Sequence, residues 1–310
     1  MKCPITFYVI IFQILLWSPC LSESECGGSA GAFLDIGIGA KAIAMGKAYS
    51  AMAGDATALF WNPAGLALSD KKEISAMHAF IFEDRAINYA AFVYPISGHS
   101  LGAAWIRFGV TGIQERGDTG QLISEFSDSE NLYMLGYGRS LWSDAYKSIS
   151  LGTTIRYYYH SLFGYSASGW AADFGALFTL YEQGFANNLN LSIAVQNIGG
   201  DIKWNTPGSL EENIPTSFRF GSSAELNSLP ITFAIDLEKQ EDRSVRFHSG
   251  LEYVYGSILP LRIGFSHKYL SAGIGYIIET GKTDIIVDYA FTDDRISDRG
   301  LHFFSIGVRF

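Results

Sequence analysis

From Glu73 to Phe310 apolar residues alternate with polar or small ones in stretches of about ten residues. Period-two alternation marks strands whose two faces meet different surroundings. Read together with the turn residues, it predicts strands near 73–82, 87–95, 98–109, 130–141, 148–161, 169–180, 188–197, 216–226, 229–239, 245–255, 259–267, 270–278, 283–291 and 301–310. That is an even number, fourteen, and the connections sort by length. The links at 96–97, 142–147, 227–228, 256–257 and 279–282 are short, whereas 110–129, 198–215 and 293–300 are long and polar. Short turns on one side and long loops on the other are the habit of a transmembrane barrel, with the turns in the periplasm and the loops outside the cell. In the last strand Phe304, Ile306, Val308 and Phe310 share one face, and Ser305, Gly307 and Arg309 the other. Such a strand needs an edge partner, and pairing it with the first strand closes the sheet. The expected fold is an all-β, transmembrane antiparallel β-barrel of about fourteen strands.

Alternation also assigns the faces, because a one-residue slip would move a whole strand's side chains to the wrong side. Phe218, Phe220, Ile231, Phe233, Ile235, Leu237, Leu261, Ile263, Phe265, Ile274, Tyr276, Ile285, Val287 and Tyr289 are predicted to face lipid. Arg219, Glu225, Asp236, Arg246, Glu252, Arg262, Asp288 and Arg309 are predicted to face the lumen. There the four arginines are expected to pair with the carboxylates rather than line a polar path, since an unpaired enclosed charge is costly. The pattern blurs around Trp105, Arg107, Tyr137 and Arg139, and the glycines of these two strands point to them as the place where the wall could kink. Trp142, Tyr146, Tyr157 and Tyr159 read as an interfacial aromatic girdle.

Residues 31–72 follow another period. Small residues at helical spacing over 40–53 predict a short helix, Asp55 is placed to cap a turn over 56–60, and Asn62 precedes Pro63 as a cap precedes a first helical residue. These slim helices suit a plug inside the barrel. Further upstream, Lys2, an apolar run from Ile5 to Trp17 and the segment 18–22 have the layout of a signal peptide cut after Ser22. The run is too short to span a bilayer. The expected organisation is therefore 1–22 signal peptide, 23–72 N-terminal segment and helical hatch, and 73–310 barrel.

Composition narrows the function classes. An aromatic share of 15%, 33 glycines and only 17% charged residues suit a barrel wall, and a net charge of -9 excludes a nucleic-acid partner. Gly98-His99-Ser100-Leu101-Gly102 and Gly27-Gly28-Ser29-Ala30-Gly31 have the Gly-x-Ser-x-Gly spacing, but neither joins a predicted strand to a helix as a nucleophile elbow does, so no hydrolase is expected, although His248 lies near Asp236 on a neighbouring predicted strand. The six histidines are scattered and only Cys26 of three cysteines follows the expected cleavage point, which predicts no metal, no cofactor and no internal disulfide. Gly37-Ile38-Gly39 lacks the strand-helix-strand setting of a dinucleotide loop.

The run Ala42-Ile43-Ala44-Met45-Gly46, then Ala53-Gly54-Asp55-Ala56-Thr57-Ala58, then Trp61-Asn62-Pro63-Ala64-Gly65-Leu66 resembles the N-terminal signature of the PorV/PorQ group of outer-membrane proteins, relatives of the FadL-type transporters of hydrophobic compounds. The resemblance implies a location in the bacterial cell outer membrane, a hatch containing Asn62, Pro63 and Ala64, and passive conduction of small hydrophobic molecules. A PorV-like role implies instead a docking partner of type IX protein secretion. Phe310 resembles the terminal aromatic signal read by barrel-assembly machinery. The partners so implied are outer-membrane lipid, that machinery, and hydrophobic ligands or secreted proteins.

Overall fold

The protein is described from a computed structural model covering residues 30–81, 85–241, 243–293 and 300–310. The expected leader 1–22, Cys26, residues 82–84 and most of the 293–300 link lie outside the described residues. The strands are β1 (Glu73–Ile81), β2 (Arg85–Ile96), β3 (His99–Arg116), β4 (Leu122–Ser143), β5 (Lys147–Leu162), β6 (Tyr165–Gln183), β7 (Ala186–Trp204), β8 (Glu211–Asn213), β9 (Ser217–Leu226), β10 (Ile231–Gln240), β11 (Arg246–Tyr255), β12 (Leu259–Ser266), β13 (Tyr269–Thr280), β14 (Thr283–Thr292) and β15 (Leu301–Arg309). Each pairs antiparallel with its neighbour in sequence, except that β7 pairs with β9 and carries the three-residue β8 as an appendage. β15 pairs with β1, Ser75 opposite Gly307, and the fourteen remaining strands close into a ring without edges. Closure matters because a bilayer offers no partner for free backbone groups. The fold is a transmembrane-type antiparallel barrel.

Side-chain direction follows the alternation. Phe218, Phe220, Phe233, Leu237, Leu261, Ile263, Ile274, Tyr276 and Val287 are exposed on the outer face, as are Phe304 and Ile306. Arg219, Asp236, Arg246, Glu252, Arg262 and Asp288 are buried inside. In the two blurred strands Arg107, Tyr137 and Arg139 lie outward with Trp105, alternating with inward Ala104, Ile106, Gly136 and Gly138. The blur has a cause. Outward positions near the rims carry Arg and amphipathic aromatics, which blunt the contrast between the faces. Trp105, Tyr133, Tyr157 and Trp170 form one outward aromatic row across β3 to β6, with the Tyr157 and Trp170 rings 4.6 Å apart.

Three expectations on element lengths are corrected. Residues 110–129 are mostly not loop, because β3 and β4 stay paired as far as Arg116 opposite Leu122, leaving 117–121 as the turn. Above the lipid both faces are wet, so the strand loses its apolar alternation while keeping its backbone ladder. Likewise β7 continues to Trp204, and β8 folds back onto it with Asp201 opposite Asn213. Finally, the helix expected over 40–53 stops after Ala40–Ala44, because Gly46 and Lys47 take left-handed angles of 62° and 64°. At Gly46 the chain lies against the wall, where a Cβ would stand 2.6 Å from Phe265 O.

Candidate functional site

Between Ala30 and Glu73 the chain descends through the barrel interior as four short pieces: a 3₁₀ turn at Ala32–Ile36, α1 (Ala40–Ala44), α2 (Ala58–Trp61) and a second 3₁₀ turn at Pro63–Leu68. None is long enough to be stable alone. Their stability is borrowed from the wall. Asn62 has extended backbone, and its side chain accepts from Ala64 N at 3.1 Å, with Pro63 in the first helical position. The same amide donates to Ser50 O at 3.0 Å and to Ala176 O at 3.4 Å, so one residue caps a turn, ties two hatch segments together and reaches β6. Asp55 accepts from Thr57 N at 2.9 Å without capping α2 through its side chain. It also accepts from Tyr49 OH at 2.6 Å. Burial raises the Asp55 carboxyl, but the Lys41 charge and the Thr57 and Tyr49 hydrogen bonds hold it below the usual carboxylate value, while burial and Asp55 push Tyr49 well up.

The wall is shaped to this path by missing side chains. Gly138, Gly152 and Gly175 form one inward row across β4, β5 and β6. A Cβ at Gly138 would stand 2.7 Å from Ala67 N, and at Gly152 and Gly175 it would press still closer on Pro63 and Asn62. On the other side Gly250 and Gly264, paired across β11 and β12, receive Met45 and Gly46 in the same way. Asn62, Pro63 and Ala64 thus sit in a trough of glycines, with Ala64 fully buried.

The interior is chemically two-sided. Toward β1 to β4 it is largely apolar, with Met77, Ile87, Tyr89, Val93, Ile106, Leu132 and Met134 packed against hatch residues such as Leu59 and Phe60. Toward β9 to β14 it is charged. Arg262 meets Glu252 at 2.5 Å and Asp288 at 2.6 Å, and Arg219 meets Glu238 at 2.9 Å and Asp236 at 3.4 Å; at the β15–β1 seam Arg309 meets Glu73 at 2.9 Å. Arg246 instead reaches Asp35 of the hatch at 3.3 Å, where Arg243 and Gln240 also bind. Burial raises Asp35, but the charge of Arg246 and the hydrogen bond and charge of Arg243 outweigh it, leaving its carboxyl below the usual value. Asp236 also accepts the backbone N–H groups of Tyr49 and Ser50 at 3.2 and 3.0 Å. His248, although opposite Asp236 in register, bonds to Glu238 at 3.0 Å. Glu225 stands apart, exposed near the short-turn rim and bonded to Asn188 at 2.8 Å. Phe310 is exposed, its backbone paired with that of Lys72.

Sequence reasoning missed a second cluster. Arg156 and Asp173, both almost completely buried, pair at 2.6 Å, and Asn197 joins them by accepting from Arg156 at 3.0 Å and from Tyr158 at 2.7 Å. Asn197 has a left-handed backbone, as does Gly199, and the β6–β7 ladder shifts register twice between Trp170 and Phe174. A wall irregularity at a buried position therefore lies in β7. The shifts in β3 and β4 fall near the ends of those strands, after Val110, after Glu115 and after Ser140. Beside this bulge, framed by Trp61, Arg156, Gln196, Arg219, Glu238 and Arg246, lies a small cavity of about 30 Å³, room for ordered water but not for a larger solute.

The barrel matches solved structures over most of its length. The Ralstonia pickettii toluene transporter TbuX aligns with 88% of this chain and 97% of its own at 13% identity and a TM-score of 0.56. The Pseudomonas putida toluene transporter TodX covers 86% and 96% at 12% identity and 0.52. The CymD monoaromatic hydrocarbon channel covers 88% and 97% at 11% identity and 0.59. This chain is similar in fold to FadL-type hydrocarbon channels. At such low identity the likeness concerns the fold, and the proteins that share it are transport channels rather than enzymes. No family model and no curated protein sequence matches the chain.

Proposed function

We propose that the protein is an outer-membrane conduit for small hydrophobic molecules, with the hatch around Asn62, Pro63 and Ala64 as its gate. The observation that carries this reading is the apolar inner wall of β1 to β4, which faces the hatch and would become a greasy track if the hatch shifted. Apolar solutes would enter it from the long-hairpin end, taken as the outside of the cell, driven by removal of their surface from water. The bulged β7 is the place where a solute could leave sideways into lipid, since the polar groups freed there are already met by Asp173 and Asn197. Uptake of a labelled fatty acid or a monoaromatic hydrocarbon into proteoliposomes tests it. Flux above that of empty vesicles, rising further when residues 31–68 are deleted, is the expected result. Equal permeability of empty, intact and hatch-deleted vesicles would overturn it.

The tight seating of the hatch favours a second reading, a PorV/PorQ-like docking barrel for type IX secretion, since docking needs no open lumen. The standing β3–β4 hairpin and the β7–β8 flap would then form the contact surface. Stable co-purification with secreted proteins, undiminished by blocking the lumen, supports that role over conduction. In either role Phe310 fits an assembly signal, and its deletion should lower the yield of folded barrel without changing flux per barrel.

A further inference from the structure

At the long-hairpin mouth, away from the hatch seats, Asp128 and Glu130 of β4 and His160 of β5 turn inward together. Their ligand atoms all lie within 4.8 Å of one another, and His160 Nε2 already contacts Asp128 Oδ1 at 2.6 Å. Glu212, from the folded-back β8, adds a third carboxylate whose charge acts on both Glu130 and His160. Three carboxylates around one imidazole leave the group net negative even when the imidazole is protonated. Among the described residues no Lys or Arg forms an ion pair with Asp128, Glu130 or Glu212. This contrasts with the inner charges lower down, where arginines supply the balance.

A separate observation concerns Trp204. His160, Ala167 and Trp204 lie in one row across β5, β6 and β7, and the Trp204 ring packs 4.8 Å from the imidazole. Trp204 is only 9% exposed, yet its indole N–H has no acceptor among the described residues. The three groups are half-buried, open enough to exchange an ion with the medium.

We propose that Asp128, Glu130 and His160, with Glu212 nearby, form a binding site for a zinc-type divalent cation at the barrel mouth. One imidazole nitrogen and two carboxylate oxygens are the donors such an ion takes, and three protein ligands leave a position for water. That water would accept the hydrogen of the Trp204 indole. The ion would take the place of the hydrogen between His160 and Asp128 and supply the missing positive charge. It would also draw β8 toward the β4–β5 wall.

The test uses the full chain, purified in detergent and stripped with a chelator. Zinc titration by calorimetry should show one equivalent bound per chain, weakened by more than about tenfold in His160→Ala and in Asp128→Asn, both checked for barrel integrity by heat-modifiable gel migration. Cobalt(II) at the same site should give a visible absorption band that His160→Ala abolishes. Absence of saturable zinc uptake in the wild type, or uptake unchanged in both variants, overturns the proposal, as does calcium uptake that zinc does not displace. Should the variants fail to form barrels, carbethoxylation of His160 in the wild type, followed by mass spectrometry, decides instead. Zinc must slow it, and an unaltered rate counts against the site.

Discussion

Asp236 holds the Tyr49 and Ser50 backbone amides and one side of Arg219 at the same time, from a position with no exposed surface. Replacing it by Ala leaves two amide donors and part of a guanidinium without partners, and loss of one member of a buried charged set typically costs about 3 kcal/mol or more. Asp236→Ala should lower the denaturant midpoint and expose the 45–53 segment to protease while the barrel still migrates as a barrel. Asp35 gives a signed dependence on acidity. Its folded carboxyl lies below the ordinary value, so it contributes stability above the unfolded pKa of about 3.9, and that contribution is lost as pH falls through the lower, folded value. A spin label attached at position 32 should therefore keep its restricted mobility from neutral pH down to about pH 5 and gain mobility only below about pH 4. At this scale the sequence was informative about which way side chains point and poor about their partners. Alternation places Arg246 inside, but no spacing encodes its contact with Asp35, a hatch-turn residue 211 positions away in the chain. The Asp128 and His160 contact, 32 residues apart, was hidden for the same reason.

Among elements, the inward glycines of β4, β5, β6, β11 and β12 do what side chains do elsewhere, by leaving room. Gly152→Val should unseat the Pro63–Leu68 turn, seen as protease cleavage within 55–70 and as higher ion conductance in planar bilayers. Gly208→Ala, whose Cβ would meet nothing within 4 Å, should leave both unchanged. Strand existence and facing were legible because lipid on one side and packed hatch on the other impose a hard period of two. Strand ends were not. Once β3, β4 and β7 rise above the lipid, both of their faces meet water, so the hydrogen-bonded ladder continues without an apolar trace in the sequence. The helix over 40–53 failed differently, since small-residue composition suits a helix and a tightly packed irregular chain equally well.

For the whole molecule, the division of the interior into an apolar wall and a charged wall predicts an ordering of effects. Arg156→Met, which leaves Asp173 buried without its partner, should destabilise the β6–β7 region more than Lys203→Met, which removes a pair exposed on both sides, and hydrogen exchange of β7 amides measures the difference. The glycine seats have a further meaning for how such an object can be made. Opposite walls fit the hatch with less clearance than a methyl group, and the chain between Ala30 and Glu73 runs the length of the interior. A ring completed first would have to admit this winding segment through its own bore. The hatch is better understood as a mandrel: the strands wrap around it, and β15 meets β1 only after the template is in place.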